Sequence, residues 1–492
     1  MQKAIKHIKP LNRINPLKRI KRFLPIGGVF LKIRALALIL AFSLFNVSPA
    51  FSVTLPSGGS FVSGSGTISS SGSSMNINQS SSKGIIDWNG FSIGQGASVY
   101  VNNGSGATLS RVTGPGISSI AGILKSTGSF YLVNPSGIVI TSSGSVITGG
   151  DFIASTLNIS DSDFLNNNFT FAGSAGSVTN YGSVTSGGNV VLAGTAVVNS
   201  GSVTSSRDTS LVSGTELVLI PQNGLSGVLV SPSSVSGDVT NSGVIKAASA
   251  YLSSSNGDVY ALAGNNGGLI EATGASTING QVWLTAPKGT VSVSSPIKSS
   301  GNVYIDGTQG TALTSSSSIY SNGGDIKIGV FPSLPESLST AISSGSVIYN
   351  PLGTVETSGD TLTLGNAGIT ASSWLLDPAD FTVDATNNGT IDTALASGSV
   401  TITTTSTSPT TSPSLTSGSY DSGTGDINID APVSWSTPNT LTLSAYDSIN
   451  VNSTITASGG GGLVLDYNTG NLTQDLATDT GELYFPLTFP VE

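Results

Sequence analysis

One short segment recurs along the chain, and its spacing limits the folds available. Val178-Thr179-Asn180-Tyr181-Gly182-Ser183-Val184-Thr185-Ser186 returns as Val197-Val198-Asn199-Ser200-Gly201-Ser202-Val203-Thr204-Ser205, and again as Val239-Thr240-Asn241-Ser242-Gly243-Val244-Ile245-Lys246-Ala247. The asparagines at 180, 199 and 241 stand 19 and then 42 residues apart, which reads as one and two turns of a period of about 20. A unit of that length cannot enclose a core alone, so successive units must stack on one another. Inside each unit, apolar residues alternate over short runs broken by Gly, Asn and Ser, as in Ser98-Val99-Tyr100-Val101, Tyr131-Leu132-Val133, Gly137-Ile138-Val139-Ile140 and Val190-Val191-Leu192. This is strand patterning, and past the N-terminal segment no window of helix length holds helical spacing. The expected fold is all-β: a right-handed parallel β-helix, a solenoid with two or three short strands per rung, an N-terminal cap and β extensions. About 20 rungs at ~4.8 Å each would make a rod of roughly 100 Å. A β-sandwich or propeller fits the short, constant spacing less well.

Charge is distributed unevenly. Ten of the 18 Lys and Arg lie between Lys3 and Arg34, and no acidic residue precedes Asp87. The apolar run Ala35 to Val47 follows, and then Ser48-Pro49-Ala50. That order matches a signal peptide with an extended basic n-region over 1–50, cleaved after Ala50; the apolar run is too short to span a bilayer. The mature chain would keep eight basic residues against 27 acidic ones, a net charge near −19, which argues against nucleic acid as a partner. There is no Cys, and the single histidine, His7, lies in the leader. Disulfides, Cys/His zinc sites, Ser–His and Cys–His catalytic pairs and His-ligated haem are therefore excluded from the mature sequence. No cofactor and no metal site are expected.

Several segments follow one another in a set order: Leu55-Pro56-Ser57-Gly58-Gly59, Met75-Asn76-Ile77-Asn78-Gln79-Ser80, Ile86-Asp87-Trp88-Asn89-Gly90-Phe91-Ser92-Ile93-Gly94, Leu109-Ser110-Arg111-Val112-Thr113-Gly114, Ile120-Ala121-Gly122, Asn134-Pro135-Ser136-Gly137-Ile138 and Ala154-Ser155-Thr156-Leu157. Together they resemble the N-terminal two-partner-secretion (haemagglutination activity) domain of filamentous-haemagglutinin-type exoproteins. Ser136 and Ser110 stand where that family usually shows Asn, and a second Asn-Pro-Asn-Leu motif is absent. The resemblance implies a secretion domain with the first β-helix repeats over 51–300. The soluble docking domains of an outer-membrane β-barrel transporter would recognise it in the periplasm of a Gram-negative bacterium, before release or display at the cell surface. Further β-rich repeats are expected over 301–402 with a loop insertion near 331–350, then a Ser/Thr/Pro linker over 403–420. A β-rich segment follows over 421–492 and ends at Pro490-Val491-Glu492 without a cap signature, as a truncated chain would.

Asn134, Pro135, Ser136 and Gly137 read as a turn between two strands and, by the resemblance, as part of the transporter-recognition surface. Arg111 reads either as a solvated cation or as the partner of an acidic groove on the transporter. The resemblance implies an adhesin that meets a receptor or glycan on a host or neighbouring cell. Two alternatives are a secreted carbohydrate-active β-helix enzyme and the stalk of a contact-dependent toxin. The enzyme reading fails on its residues. Asp426 and Asp430 on one strand would be about 13 Å apart, beyond the ~6.5–9.5 Å of inverting glycosidases. Asp161 and Asp163 are expected on a loop beside Asn166-Asn167-Asn168, and no catalytic residue is assigned. Asp421, Asp426 and Asp430 match neither calcium-loop pattern. Of the cations, Arg111 and Lys125 stand alone between Lys83 and Arg207. Trp88, Phe91, Tyr100, Phe130 and Tyr131 read as core filling rather than as sugar-stacking rings.

Overall fold

The computed structural model describes residues 53–173, 175–222, 225–230, 237–261, 269–272, 280–405, 423–469 and 483–484. The leader expected over 1–50 lies outside them, as does the expected linker apart from residues 403–405. The described residues wind into a right-handed parallel β-helix. The repeat sets the register: Val178, Val197 and Val239 pair across successive rungs, and so do Asn180, Asn199 and Asn241. One inward column runs unbroken through Met75, Val99, Leu124, Val146, Val184, Val203, Ile245, Ile270, Ile297, Ile319, Ile348 and Ile369, every member buried. β-Branched side chains suit this column because they pack flat against like neighbours on a pleated surface.

The asparagines form a second, polar column. Asn180 Nδ2 donates to Asn199 Oδ1 at 2.8 Å, Asn199 Nδ2 to Asn241 Oδ1 at 2.7 Å, and Asn241 Nδ2 to Gly243 O at 3.1 Å. The column is closed at its other end by Gly182 N–H donating to Asn180 Oδ1. Ile140 precedes it and Ala261 follows it in the same register, so the amides sit inside an otherwise aliphatic stack and satisfy one another there.

The 42-residue spacing is one rung, not two: Ala196–Asn199 pairs directly with Val239–Asn241. The surplus residues leave the helix as the hairpin Glu216–Gln222/Leu225–Val230. An earlier excursion does the same between Ile140 and Asn180, as the strands Asn158–Ile159 and Phe169–Ala172 around a short helix, α1 (Asp161–Leu165). The two excursions join into one four-stranded antiparallel sheet outside the β-helix. Excursions use up residues that the expected count gave to rungs. The face that begins at Ser118–Ile120 accordingly carries ten stacked strands and then a separate set of four among the described residues, against the about 20 expected.

At the N-terminal end, Ser60–Ser63 pairs antiparallel with Lys83–Trp88, and the hairpin Gly66–Ser71/Ser74–Gln79 leads into the first parallel pairing, with Ser98–Asn102. This cap covers an edge that would otherwise offer unpaired backbone groups. The excursion expected over 331–350 is confined to the stretch before Ser339–Ile342, because that strand and Val347–Gly359 resume the ladder. A second helix, α2 (Asn388–Ser397), departs from the all-strand expectation. It takes the place of one strand in its rung. Thr390 Oγ1 donates toward Gly365 O and Ala367 O on the preceding rung, and Asp392 Oδ1 accepts from Ser434 N on the following one.

Candidate functional site

The outer face of the N-terminal rungs is itself a packing surface. In strands such as Phe152–Ser155, Val190–Gly194 and Asp208–Ser213 every residue is buried, because one set of side chains points into the β-helix and the other lies under the extra-helical sheet. Ile85, Leu109, Tyr131, Ile153 and Val191 meet Phe164, Phe171, Leu217 and Leu219 in this second core. Tyr131 stacks on Phe169 with centroids 5.7 Å apart and meets Phe164 edge-on at 5.3 Å. Burial, with the charge of Asp151 adding to it, raises the Tyr131 phenol above its ordinary value.

Two cations fasten the layer. Arg111, 15% exposed at its side chain, bridges Asp87 Oδ1 at 3.4 Å and Asp161 Oδ1 at 2.6 Å. It also donates to Ile159 O at 2.9 Å and Asn158 Oδ1 at 3.1 Å. Lys83 closes the other end of α1: its Nζ donates to Phe164 O at 2.6 Å, Leu165 O at 2.8 Å and Asn167 Oδ1 at 2.8 Å, where a helix presents unpaired carbonyls. Burial lowers the Lys83 ammonium from its usual value. Between layer and β-helix a cavity of about 600 Å³ remains, with Tyr131, Phe169 and Leu219 on its apolar side and Asp151, Asn189 and Arg207 on its polar side.

The turn lies where Ser129–Val133 passes into Ile138–Ile140. Gly137 N–H donates to Asn134 O at 3.1 Å, and Gly137 takes φ +127°, a conformation that favours glycine. Asn134 is fully buried. Its Nδ2 donates to Gly116 O and Ser118 Oγ, both at 2.9 Å, on the preceding rung, and its Oδ1 accepts from Ser136 N at 2.9 Å. Only Pro135 and Ser136 are exposed. The turn rests on Gly176 of the next rung, at φ +78°, where a Cβ would come 2.5 Å from Pro135 O.

The sequence-assigned residues thus divide. Pro135 and Ser136 face outward, Asn134 is an internal staple between rungs, and Arg111 is already engaged by two carboxylates of its own chain. Lys125 points outward between Tyr100 and Ile147 in the ladder and makes no ion pair among the described residues. Trp88, Phe91, Phe130 and Tyr131 are core residues; Tyr100 is exposed. Asp161 and Asp163 sit on α1 rather than on a loop. Asp163 accepts from Ser160 Oγ and Asn168 Nδ2, and these hydrogen bonds, the Ser160 one first, hold its carboxyl below the usual range. Asp426 braces Thr424 and Ser448, and Asp430 braces Asn452. Asp421 lies outside the described residues, among which no group of three His, Cys, Asp or Glu side chains is placed to hold a metal. The extra-helical layer and the role of Lys83 escaped the sequence reading, although Ile85-Ile86 and Phe152-Ile153, consecutive apolar pairs on strands, mark faces buried on both sides.

Comparison with known proteins falls on this same region. The TPS secretion domain family matches residues 52–328. A heme/hemopexin-binding protein of Haemophilus influenzae is 33% identical over 255 residues, 46% of this chain and 27% of that protein. One from strain Rd of the same species is 33% identical over 123 residues, 25% of this chain and 14% of the other. The chain therefore spans well under a third of the length of these relatives. Among solved structures, the HMW1 secretion domain from Haemophilus influenzae superposes with a TM-score of 0.52 at 22% identity, covering 84% of this chain and all of that one, a likeness of fold.

Proposed function

The chain belongs to the TPS secretion domain family, and from that premise we propose that it is the exported partner of a two-partner secretion system, a filamentous-haemagglutinin-like surface adhesin of a Gram-negative bacterium. An outer-membrane β-barrel transporter takes it from the periplasm and reads the N-terminal rungs. The observation that carries this reading is the family match over 52–328, which coincides with the cap, the extra-helical layer and the Asn134–Gly137 turn. Within the turn, Pro135 and Ser136 supply the recognised surface while Asn134 and Gly137 hold it in place, and Arg111 fastens the extra-helical layer. A receptor or glycan on a host or neighbouring cell is the adhesin's target, and the protein does no catalysis of its own. Haem binding, named for the two Haemophilus influenzae relatives, is not carried over: past residue 50 this sequence holds no His and no Cys, the side chains that most often ligate haem iron.

The cargo features suit such a route. A chain free of Cys forms no disulfide that would block a pore, and each emerging rung can template on the last. Full burial of one aliphatic side chain is worth roughly 1.5–3 kcal/mol before ordering entropy, so folding outside favours outward movement. The test is secretion of the full chain from cells with and without the cognate transporter, alongside a variant lacking residues 53–328. Release that persists without the transporter, or after the deletion, would overturn the proposal.

A further inference from the structure

The segment from Gly329 to Leu338 arches over one buried carboxyl. Its near end is held by Gly329 N–H donating to Ile305 O at 2.8 Å, and its far end by Ser337 Oγ donating to Gly307 O at 2.6 Å and Leu338 N–H to Thr308 O at 3.1 Å. Ser337 N–H donates to Gly329 O at 2.9 Å and draws the two ends together. These acceptors flank Asp306 on the strand Val303–Gly307, so the arch crosses that residue. Asp306 is fully buried, and among the described residues neither of its carboxyl oxygens has a hydrogen-bond partner.

Further carboxyl groups gather on this face. Glu336 of the arch is pushed up to about 7 by burial and then by the charges of Asp377, Asp360, Glu356 and Asp306. Glu356 lies on Val347–Gly359, Asp360 just past that strand and Asp377 on Gly368–Pro378. Lys327 is the cation of this face, and it is paired with Glu356. Tyr304 and Asp325 complete the titratable groups packed there. The crown of the arch is apolar: the Phe331 ring meets Trp283 at 5.4 Å and Tyr304 at 5.6 Å, both edge-on. Burial pushes the Asp306 carboxyl up to about 7, and burial followed by the Glu356 charge pushes Asp377 up to about 6.

We propose that the 329–338 arch is a pH-responsive strap, closed over Asp306 while that carboxyl is neutral and lifted when it ionises. A carboxylate in a dry site with no donor nearby is strongly disfavoured. Burial alone raises the Asp306 carboxyl, and Lys327 is committed to Glu356. Water reaches Asp306 only if the arch moves. Lifting withdraws Phe331 from Trp283 and Tyr304 and bares an aromatic patch, so acid closes this surface and neutral to alkaline conditions open it.

The experiment is hydrogen–deuterium exchange of the full secreted chain from pH 5.5 to 8.5, corrected for the intrinsic pH dependence of exchange. Protection of 329–338 should fall by about tenfold per pH unit as pH rises toward 7 and level off above it, where the closed form is ionised too, while the strand Ile138–Ile140 stays unchanged. Asp306→Asn, which cannot ionise, should keep the arch protected throughout. Exchange of the arch at the corrected intrinsic rate dependence across the whole range, or Asp306→Asn opening with the wild-type pH dependence, would overturn the proposal. Acrylamide quenching of Trp283, taken as the difference between wild type and Trp283→Phe, gives a readout that does not depend on Asp306→Asn folding. It should rise over the same interval, and a flat response refutes the strap.

Discussion

Replacing Asn134 by Ala separates what the turn does for the fold from what it does for export. The substitution removes both donor contacts of Nδ2 and the acceptor for Ser136 N. Gly116 and Ser136 are exposed, so their backbone groups regain water, whereas Ser118 is fully buried and its hydroxyl loses a donor. One buried polar group left short costs about 1–3 kcal/mol and the lost turn bond about 0.5–1.5, together roughly 1.5–4.5 kcal/mol. That exceeds the ~1 kcal/mol appropriate to a solvated turn. If the N-terminal rungs melt as a block of about 150 residues, with ~2.1 cal/mol/K of unfolding entropy each, the melting temperature drops by roughly 5–14 °C. Pro135→Ala with Ser136→Ala removes only exposed side chains, so its melting should change by no more than about 2–3 °C, as expected for up to ~1 kcal/mol from the proline. Calorimetry on the secreted chain and the secreted fraction in cells are measured together. Asn134→Ala should lose stability, and the double variant should lose export while melting normally. Unaltered melting of Asn134→Ala would refute the staple argument, and wild-type export of the double variant would remove the turn from recognition.

Asn199→Ala should destabilise by about 2–4 kcal/mol in denaturant unfolding, because it orphans both Asn180 Nδ2 and Asn241 Oδ1, while the triple change of Asn180, Asn199 and Asn241 to Val should cost less than the single one. Arg111→Met should raise proteolytic cleavage across 158–172 several-fold, at a stability cost of about 1–2 kcal/mol since Asp161 is half exposed, and leave cleavage of the C-terminal rungs unchanged. The raised Asp306 carboxyl makes the folded state bind a proton more tightly than the unfolded chain. Stability should therefore climb as pH falls from about 7 toward 4, and Asp306→Asn should reduce the slope of that part of a melting-versus-pH curve, the remainder coming from Glu336 and Asp377, whose carboxyls burial also raises. Below about pH 4 the opposite sign takes over, as Asp163, Asp258 and Asp384, whose carboxyls are held low by hydrogen bonds, become protonated.

The β-helix was legible because its signal is local and repeated. Val178, Val197 and Val239 pair as their sequence likeness implies, and the Asn column follows from the same alignment. Rung length was not legible. Between Asn199 and Asn241 the chain leaves the helix and returns in register, and a spacing near twice the period looks the same whether the extra residues form a rung or a hairpin. Helix α2 was hidden because its ten residues, Asn388–Ser397, open on Asn-Gly-Thr and carry two Thr, weak helix formers, in too short a run to stand alone, and it is held by its neighbours above and below rather than by intrinsic propensity. At the candidate site, the turn at Asn134–Gly137 was visible from its Pro and Gly. That the Asn points inward and Arg111 is tied to Asp161 depends on contacts 16 to 50 residues away in sequence, which no local pattern encodes.

Helix α2 also bears on how the β-helix responds to force. Where strands stack, a pull along the axis is shared by backbone hydrogen bonds on every side of the coil. At α2 one side carries no strand: the load between Gly368–Pro378 and Val433–Trp435 passes through side-chain contacts, chiefly those of Thr390 and Asp392. Stretched in an optical trap, the chain should yield there first, and the rungs on either side should unravel as separate events. Under load the β-helix would thereby shed tension at one fixed place and keep its N-terminal rungs wound.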